Sequence, residues 1–310
     1  MAKNLYIRIL IICLITGFQI AARAEDTFES AENAIISKDF KRAIGLLQPL
    51  AEEGYVRALL LLGDIFKNSP YPTQNLASAV SWYRMAANKG SAEGQLKLGQ
   101  MFERGLGVPI DQEVAVTWYR MAANSGRTDL QLKLAYMYER GDMVRQNYGE
   151  AVNWYRKAAE GGNAEAQFHL GKIYAETTPP NFKEASEWYR KAADQGDINA
   201  QYRLGKMYVS GHEVFQDYTE AVKWFRLAAE GGQPYAQLSL GMIYGLGEGN
   251  TPRNYPDAHM WLNLAASAFQ PGPDRDQAVS IRDDIAGKMP PSQLTEARRK
   301  ARKWHPDKRP

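Results

Sequence analysis

The chain has 310 residues, 45% of them hydrophobic and 24% charged, with a formal net charge of +3 and a single cysteine. Lys3, Arg8 and Arg23 all precede Glu25, so from residue 25 onward the 38 basic residues fall to 35, against 35 acidic ones. That neutrality argues against general nucleic-acid binding, and with Cys13 also upstream of residue 25 the remainder has no disulfide or thiol chemistry.

The N-terminus reads as a cleavable leader. Lys3 and Arg8 give a positive start, residues 9–20 are an apolar run, and Ala22-Arg23-Ala24 puts small residues at −3 and −1 before Glu25. The run is shorter than the roughly 18–20 residues of a membrane-spanning helix. Ile12 is too large to precede a lipidated Cys13. Residues 1–24 are therefore expected to be removed after Ala24, leaving a periplasmic or secreted product. The following stretch, "DTFESAENAIIS" at 26–37, reads as a lone capping helix.

A repeat governs the next 230 or so residues. "AVSWYRMAANKGSAEGQLKLGQMF" begins at Ala79, "AVTWYRMAANSGRTDLQLKLAYMY" at Ala115 and "AVNWYRKAAEGGNAEAQFHLGKIY" at Ala151. Further copies start at Ala185 and Ala221, with degenerate ones at Ala43 and Ala258; the spacings are 36, 36, 36, 34, 36 and 37. Such a period marks an array of stacked units. In the copy at Ala151, Ala151, Trp154, Tyr155, Ala158 and Ala159 fall on one helical face. Gly161-Gly162 stops that helix, and a second carries Ala164, Phe168, Gly171 and Tyr174. A mid-helix glycine costs about 1 kcal/mol relative to alanine, so its return at Gly63, Gly99, Gly205 and Gly241 points to close helix approach, with Ala135 filling the same place once. Asn147 to Glu150 and Asp217 to Glu220 read as capping boxes opening the next first helix. The turns at Pro179-Pro180 and Gly245 to Asn254 differ in length from the others and are candidates for unit-specific contacts.

The combined pattern A-x-x-W-Y-x-x-A-A, G-x-x-x-A-Q-x-x-L-G-x-x-Y, G-x-G-V resembles the Sel1-like repeat, a relative of the tetratricopeptide repeat, over roughly residues 39–270. The resemblance implies an all-α, right-handed α/α superhelical solenoid of six to seven helix pairs with capping helices at both ends. It further implies a non-enzymatic scaffold or adaptor of the bacterial cell envelope, binding a protein or peptide partner on its concave surface. One branch of that family was described as β-lactam-interacting, but its repeats are cross-linked by cysteine pairs that this chain lacks. The solenoid is expected over 25–270, with C-terminal caps and a basic tail over 271–310.

Two side-chain series recur with the period. Trp82, Trp118, Trp154, Trp188, Trp224 and Trp261 are expected in the core with the alanines, the other reading being a stacking platform for sugar or peptide. Arg84, Arg120, Arg156, Arg190 and Arg226 are candidates for a carboxylate-binding groove; the other reading is a solvated or locally paired face. The histidines His169, His212, His259 and His305 are scattered, and no nucleophile elbow, P-loop or H-E-x-x-H is present. No cofactor or metal is expected, and an enzyme acting on cell-wall material is the rival reading.

After Pro271-Gly272-Pro273, the residues Ala278, Ile281, Ile285 and Met289 make one face of a terminal helix, and Pro290-Pro291-Ser292 opens the last. From Lys288 to the end, eight basic residues stand against Glu296 and Asp307, so this tail is +6 and residues 25–287 are −6. Arg298, Arg299, Arg302 and Lys303 are its candidate contact residues, for a partner or an anionic envelope surface; a solvated end is the plain alternative. His305-Pro306-Asp307 matches the letters of a co-chaperone J-domain motif. The chain stops three residues later, without the third helix that such a loop needs, so the match is read as coincidence.

Overall fold

A computed structural model describes residues 23–70, 74–211, 215–249 and 251–304. The expected leader up to residue 22, His212 and the His305–Asp307 triplet lie outside them. The described residues hold sixteen helices and no strand. In chain order they are α1 (23–36), α2 (Phe40–Glu52), α3 (Val56–Asn68), α4 (Leu76–Asn88), α5 (Ala92–Arg104), α6 (Gln112–Ala123), α7 (Thr128–Arg140), α8 (Tyr148–Glu160), α9 (Ala164–Glu176), α10 (Phe182–Asp194), α11 (Ile198–Ser210), α12 (Tyr218–Glu230), α13 (Pro234–Leu246), α14 (Tyr255–Ala268), α15 (Pro273–Gly287) and α16 (Pro291–Lys303). From α2 to α14 the even-numbered helices are the first helices of each repeat, tryptophan-bearing from α4 onward, and the odd-numbered ones are the second. The chain divides into two compact units, one ending at Ala151 and one starting at Val152. Within each, helices pack on their chain neighbours, as a solenoid of helix pairs requires.

Each helix is short because both its ends are written locally. Asp39, Asn75, Asp111, Asn181, Asp217 and Asn254 cap first helices, each side chain accepting a first-turn N–H. Asn147 does the same for Glu150 N–H at 3.1 Å. The expected capping boxes are not closed by their glutamates. The N–H groups of Asn147 and Asp217 donate instead to the carbonyls of Tyr138 and Tyr208, in the preceding helix of the same unit. The same bond joins Asn75 to Phe66, Asp111 to Phe102, Asn181 to Tyr174 and Asn254 to Tyr244. The cap residue thus also staples the turn between repeats.

The second-helix glycines sit where the next first helix crosses. A Cβ on Gly63 would lie 2.3 Å from the Tyr83 ring, on Gly99 2.7 Å from Tyr119, on Gly171 2.7 Å from Tyr189 and on Gly205 2.5 Å from Phe225. Those aromatic residues, not the tryptophans, fill the centre: Tyr83, Tyr119, Tyr155 and Phe225 are among the largest fully buried side chains. Trp154 and Trp261 are buried, but Trp82, Trp118, Trp188 and Trp224 are only half-buried. Trp82, Trp118 and Trp224 pack back onto the cluster of the preceding repeat. The tryptophan is a seam residue with part of its ring at the surface, as its bulk favours, although the indole N–H of Trp154 and Trp224 is buried without a hydrogen-bond partner.

A second buried series was not expected. Gln95, Gln131, Gln167, Gln201 and Gln237 are nine-tenths or more buried, and their amides donate to the carbonyls of Ala87, Ala123, Ala159, Ala193 and Ala229 at 3.0–3.4 Å. Those carbonyls lie in the last turn of the preceding first helix, and each also accepts the N–H of the glycine three residues on, at 2.9–3.2 Å. The glutamine eight residues later is a second donor and ties the two helices of a repeat together.

The caps bury apolar faces that would otherwise be bare. α1 is already helical at residue 23, ahead of the expected 26, and Ala24, Phe28, Ala31 and Ala34 join the cluster of α2 and α3. Arg57 holds it, bonding Glu25 at 2.8 Å and Glu32 at 2.7 Å and lying over the Phe28 ring. At the other end Ala278, Ile285 and Met289 close the core, and α16 lies on α14 through Ala297, Ala301 and an edge-on Trp261–Trp304 contact.

Candidate functional site

The first helices present one recurring exposed face, and the arginine series lies on it. Four of the five arginines meet the tyrosine eighteen positions later, on the second helix of the same repeat. Arg156 donates to the Tyr174 hydroxyl at 2.9 Å, Arg226 to that of Tyr244 at 2.6 Å, and Arg190 to that of Tyr208. Arg190 also lies over the Trp224 ring at 5.6 Å. Arg120 differs: its guanidinium rests over the ring of Tyr138 at 5.3 Å, and the Tyr138 hydroxyl is buried without a partner. At Arg84 the corresponding residue is Phe102, which offers no hydroxyl. A guanidinium held by one neutral hydroxyl keeps most of its five donors free.

The face is not purely polar. Met85, Met121 and Leu227 follow Arg84, Arg120 and Arg226 directly and are 43%, 44% and 48% exposed. Two members of the series line open cavities formed with the turn after the second helix. Arg120 lines one of about 990 Å³, together with Val116, Tyr138, Met143 and Arg145. Arg226 lines one of about 580 Å³, with Val222, Leu227 and Pro252.

A separate basic series on the second helices is packed against the core rings. Lys97 lies over Tyr83 and pairs with Asp64 at 2.9 Å, Lys133 lies 4.0 Å over Tyr119 and pairs with Glu103, and His169 stacks on Tyr155 at 5.0 Å. Tyr83 and Tyr119 donate to the same carboxylates, Asp64 and Glu103. Burial and those carboxylates push both phenols far up, and burial raises Tyr189 to about 12. None of these tyrosines is a proton-transfer group at neutral pH. On α16, Arg298, Arg299, Arg302 and Lys303 are exposed, and among the described residues none has a carboxylate at ion-pair distance. Lys300 is spent on Asp257 at 2.8 Å. The described residues contain no cluster of three metal-ligating side chains and no helix long and apolar enough to cross a membrane.

The Sel1 repeat model matches this chain seven times, over residues 33–55, 56–91, 92–126, 128–163, 164–197, 198–233 and 234–268. The chain belongs to the Sel1 repeat family. Sel1 repeats typically serve as protein-interaction scaffolds and are generally non-enzymatic. The chain is similar to a solved protective antigen of uropathogenic Escherichia coli with an SLR fold, at 27% identity and a TM-score of 0.51, covering 85% of this chain and 63% of the antigen. It is also similar to a Sel1 repeat protein from Oxalobacter formigenes, at 28% identity and a TM-score of 0.52, covering 77% of this chain and 96% of that one. No curated protein matches it. The Sel1 register starts at the second helix and ends with the next first helix, so its unit is the pair crossing at glycine and tyrosine rather than the pair starting at Ala43 or Ala79. Sequence reasoning paired helices across their shorter connection, whereas the Sel1 unit follows the tightest crossing.

Proposed function

We propose that this Sel1 repeat protein is a scaffold of the bacterial cell envelope that holds a protein partner on the exposed face of its first helices. The observation that carries the reading is that in three repeats an exposed arginine is followed by an exposed methionine or leucine, and that Arg120 and Arg226 among them line open cavities. Exposed Met and Arg together are the composition of recognition surfaces. The cavities lack a nucleophile with its base, and the perturbed tyrosines are structural. The envelope setting rests on the leader over residues 1–24. The Escherichia coli relative is a protective antigen, which fits an exported chain.

The test is site-specific photo-cross-linking of the full chain in bacterial cells, followed by fractionation and N-terminal sequencing of the product. A photo-reactive residue replaces Met121 or Leu227, or Lys206 on the second-helix side as control. The expected result is a discrete adduct from 121 and 227, none from 206, and a product starting at Glu25. Adducts equal at all three positions, or none, would overturn the scaffold surface; a retained N-terminus in the cytosol would overturn the envelope setting.

A further inference from the structure

The cavity at Arg120 is built differently from its counterparts. In two other repeats the turn position two residues after the second-helix C-cap is a left-handed glycine: Gly107 with φ 73° and Gly249 with φ 59°. Both press on the start of a first helix. A Cβ on Gly107 would stand 2.5 Å from the Leu76 carbonyl, and one on Gly249 2.6 Å from the Tyr218 side chain. The matching residue here is Met143, at φ 63°. A methionine in the left-handed region is strained backbone, retained where the side chain has a use. Its Cβ also forbids the approach that Gly107 makes, so the turn stands off Gln112 and Glu113, and the cavity of about 990 Å³ opens between them.

The groups facing this cavity are unspent. Among the described residues neither Arg120 nor Arg145 has a carboxylate at ion-pair distance. Tyr138 is 4% exposed and its hydroxyl has no hydrogen-bond partner, whereas those of Tyr174, Tyr208 and Tyr244 each accept from their arginine. A buried unpaired hydroxyl is costly and calls for a partner. Glu113 and Glu150 also line the cavity, but each lies in the first turn of a helix, α6 and α8, where the helix N-terminus offsets its charge. Arg120, in the last turn of α6, has the matching offset from the helix C-terminus, whereas Arg145, in the turn between helices, has none. Met143, Val116 and Val144 supply apolar wall beside them.

Building on the scaffold reading, we infer that this cavity is the specificity site for an acidic segment of the partner: a Glu or Asp side chain held between Arg120 and Arg145, with an adjacent apolar side chain against Met143. The exposed Arg120 side chain leaves the Tyr138 ring to meet the carboxylate, and the freed Tyr138 hydroxyl donates the third hydrogen bond. Bidentate guanidinium–carboxylate contacts of this kind are strong and directional.

The test uses blocked, fluorescein-labelled hexapeptides of alternating Leu and Glu, with Leu-Gln and Leu-Lys versions and a Leu-Gln version with a free C-terminus, titrated with the full chain by anisotropy at two salt concentrations. The expected result is binding of the Glu peptide alone, weakened by salt. Arg120→Gln and Arg145→Gln should each weaken it at least tenfold, Met143→Gly severalfold, and Lys206→Gln, on the second-helix side, not at all. Tyr138→Phe separates binding from folding: it removes an unpaired buried hydroxyl, so affinity should fall severalfold while the unfolding midpoint stays or rises. Equal binding of Glu and Gln peptides, binding of the free-carboxylate peptide as tightly as the Glu peptide, or equal loss with Lys206→Gln would overturn the site. If no peptide binds while residues 121 and 227 still cross-link, the acidic-segment site alone is refuted. If the cross-links fail as well, the scaffold reading falls with it.

Discussion

Gly205→Ala tests whether helix crossing or helix propensity decides the second helices. In isolation the change favours α11, by about 1 kcal/mol. In the fold, the new methyl would sit 2.5 Å from two atoms of the Phe225 ring and 3.0 Å from a third. Carbon atoms settle at roughly 3.5–4.0 Å, so the ring or the helix must move by about 1 Å. Phe225 is 2% exposed and its neighbours Ala221, Ala228 and Ala229 are fully buried, so the ring can yield only toward the cavity of about 250 Å³ that it borders. Overpacking of a filled core costs about 1–3 kcal/mol, and three simultaneous close contacts place this case near the top of that range. Net destabilisation is then about 2 kcal/mol. Gly45, in α2, is the control: a Cβ there meets nothing within 4 Å, so Gly45→Ala should stabilise by about 1 kcal/mol. Urea unfolding followed by circular dichroism reads both. The midpoint should fall for Gly205→Ala and rise for Gly45→Ala, with the protein still folded, since Ala135 already occupies the equivalent position in another repeat. A Gly205→Ala midpoint at or above the parent's would refute the crossing argument.

Gln167→Ala removes the 3.0 Å bond to the Ala159 carbonyl, which keeps only the Gly162 N–H at 3.1 Å, and the acceptor used by Gln195 at 2.8 Å. A loss of about 1–3 kcal/mol is expected in the same urea assay, and a loss under a few tenths would mean that the glutamine series is not a tie. His259 is 4% exposed, and its pKa is lowered from 6.5 by burial and by the nearby Arg282 and Arg298, against a smaller opposing effect of Asp283. The unfolded histidine therefore takes up its proton first. Stability from this group is complete above about pH 6.5 and declines as pH falls from there to the folded pKa. Urea midpoints measured from pH 8 to 5 should show that decline, and His259→Gln should flatten it; an unchanged slope in the variant would assign the effect elsewhere.

The repeat, the helix pairs and the ends of nearly every helix were legible in the amino-acid sequence, because caps such as Asp217 and stops such as Gly162 act on their own neighbourhood. The mid-helix glycines announced a close contact for the same reason: nothing local explains Gly171 in the middle of α9. Which residue meets that glycine was not legible. Trp188 and Tyr189 are both large and adjacent, and only the crossing of α9 and α10 puts the tyrosine against Gly171 and leaves the tryptophan half out at the seam. The glutamine series stood in plain view as A-Q, yet a glutamine has no signature until the carbonyl it satisfies is known. The arginines were found by their period, but their inequality was not. Arg120 and Arg226 look alike in sequence; one holds a tyrosine hydroxyl and the other leaves it bare, beside a turn where Met143 replaces a glycine. Local chemistry determines where a helix starts and stops. What it touches, and which charged groups are left over for a partner, is decided by contacts between residues far apart in the chain, which exist only once the helices have stacked.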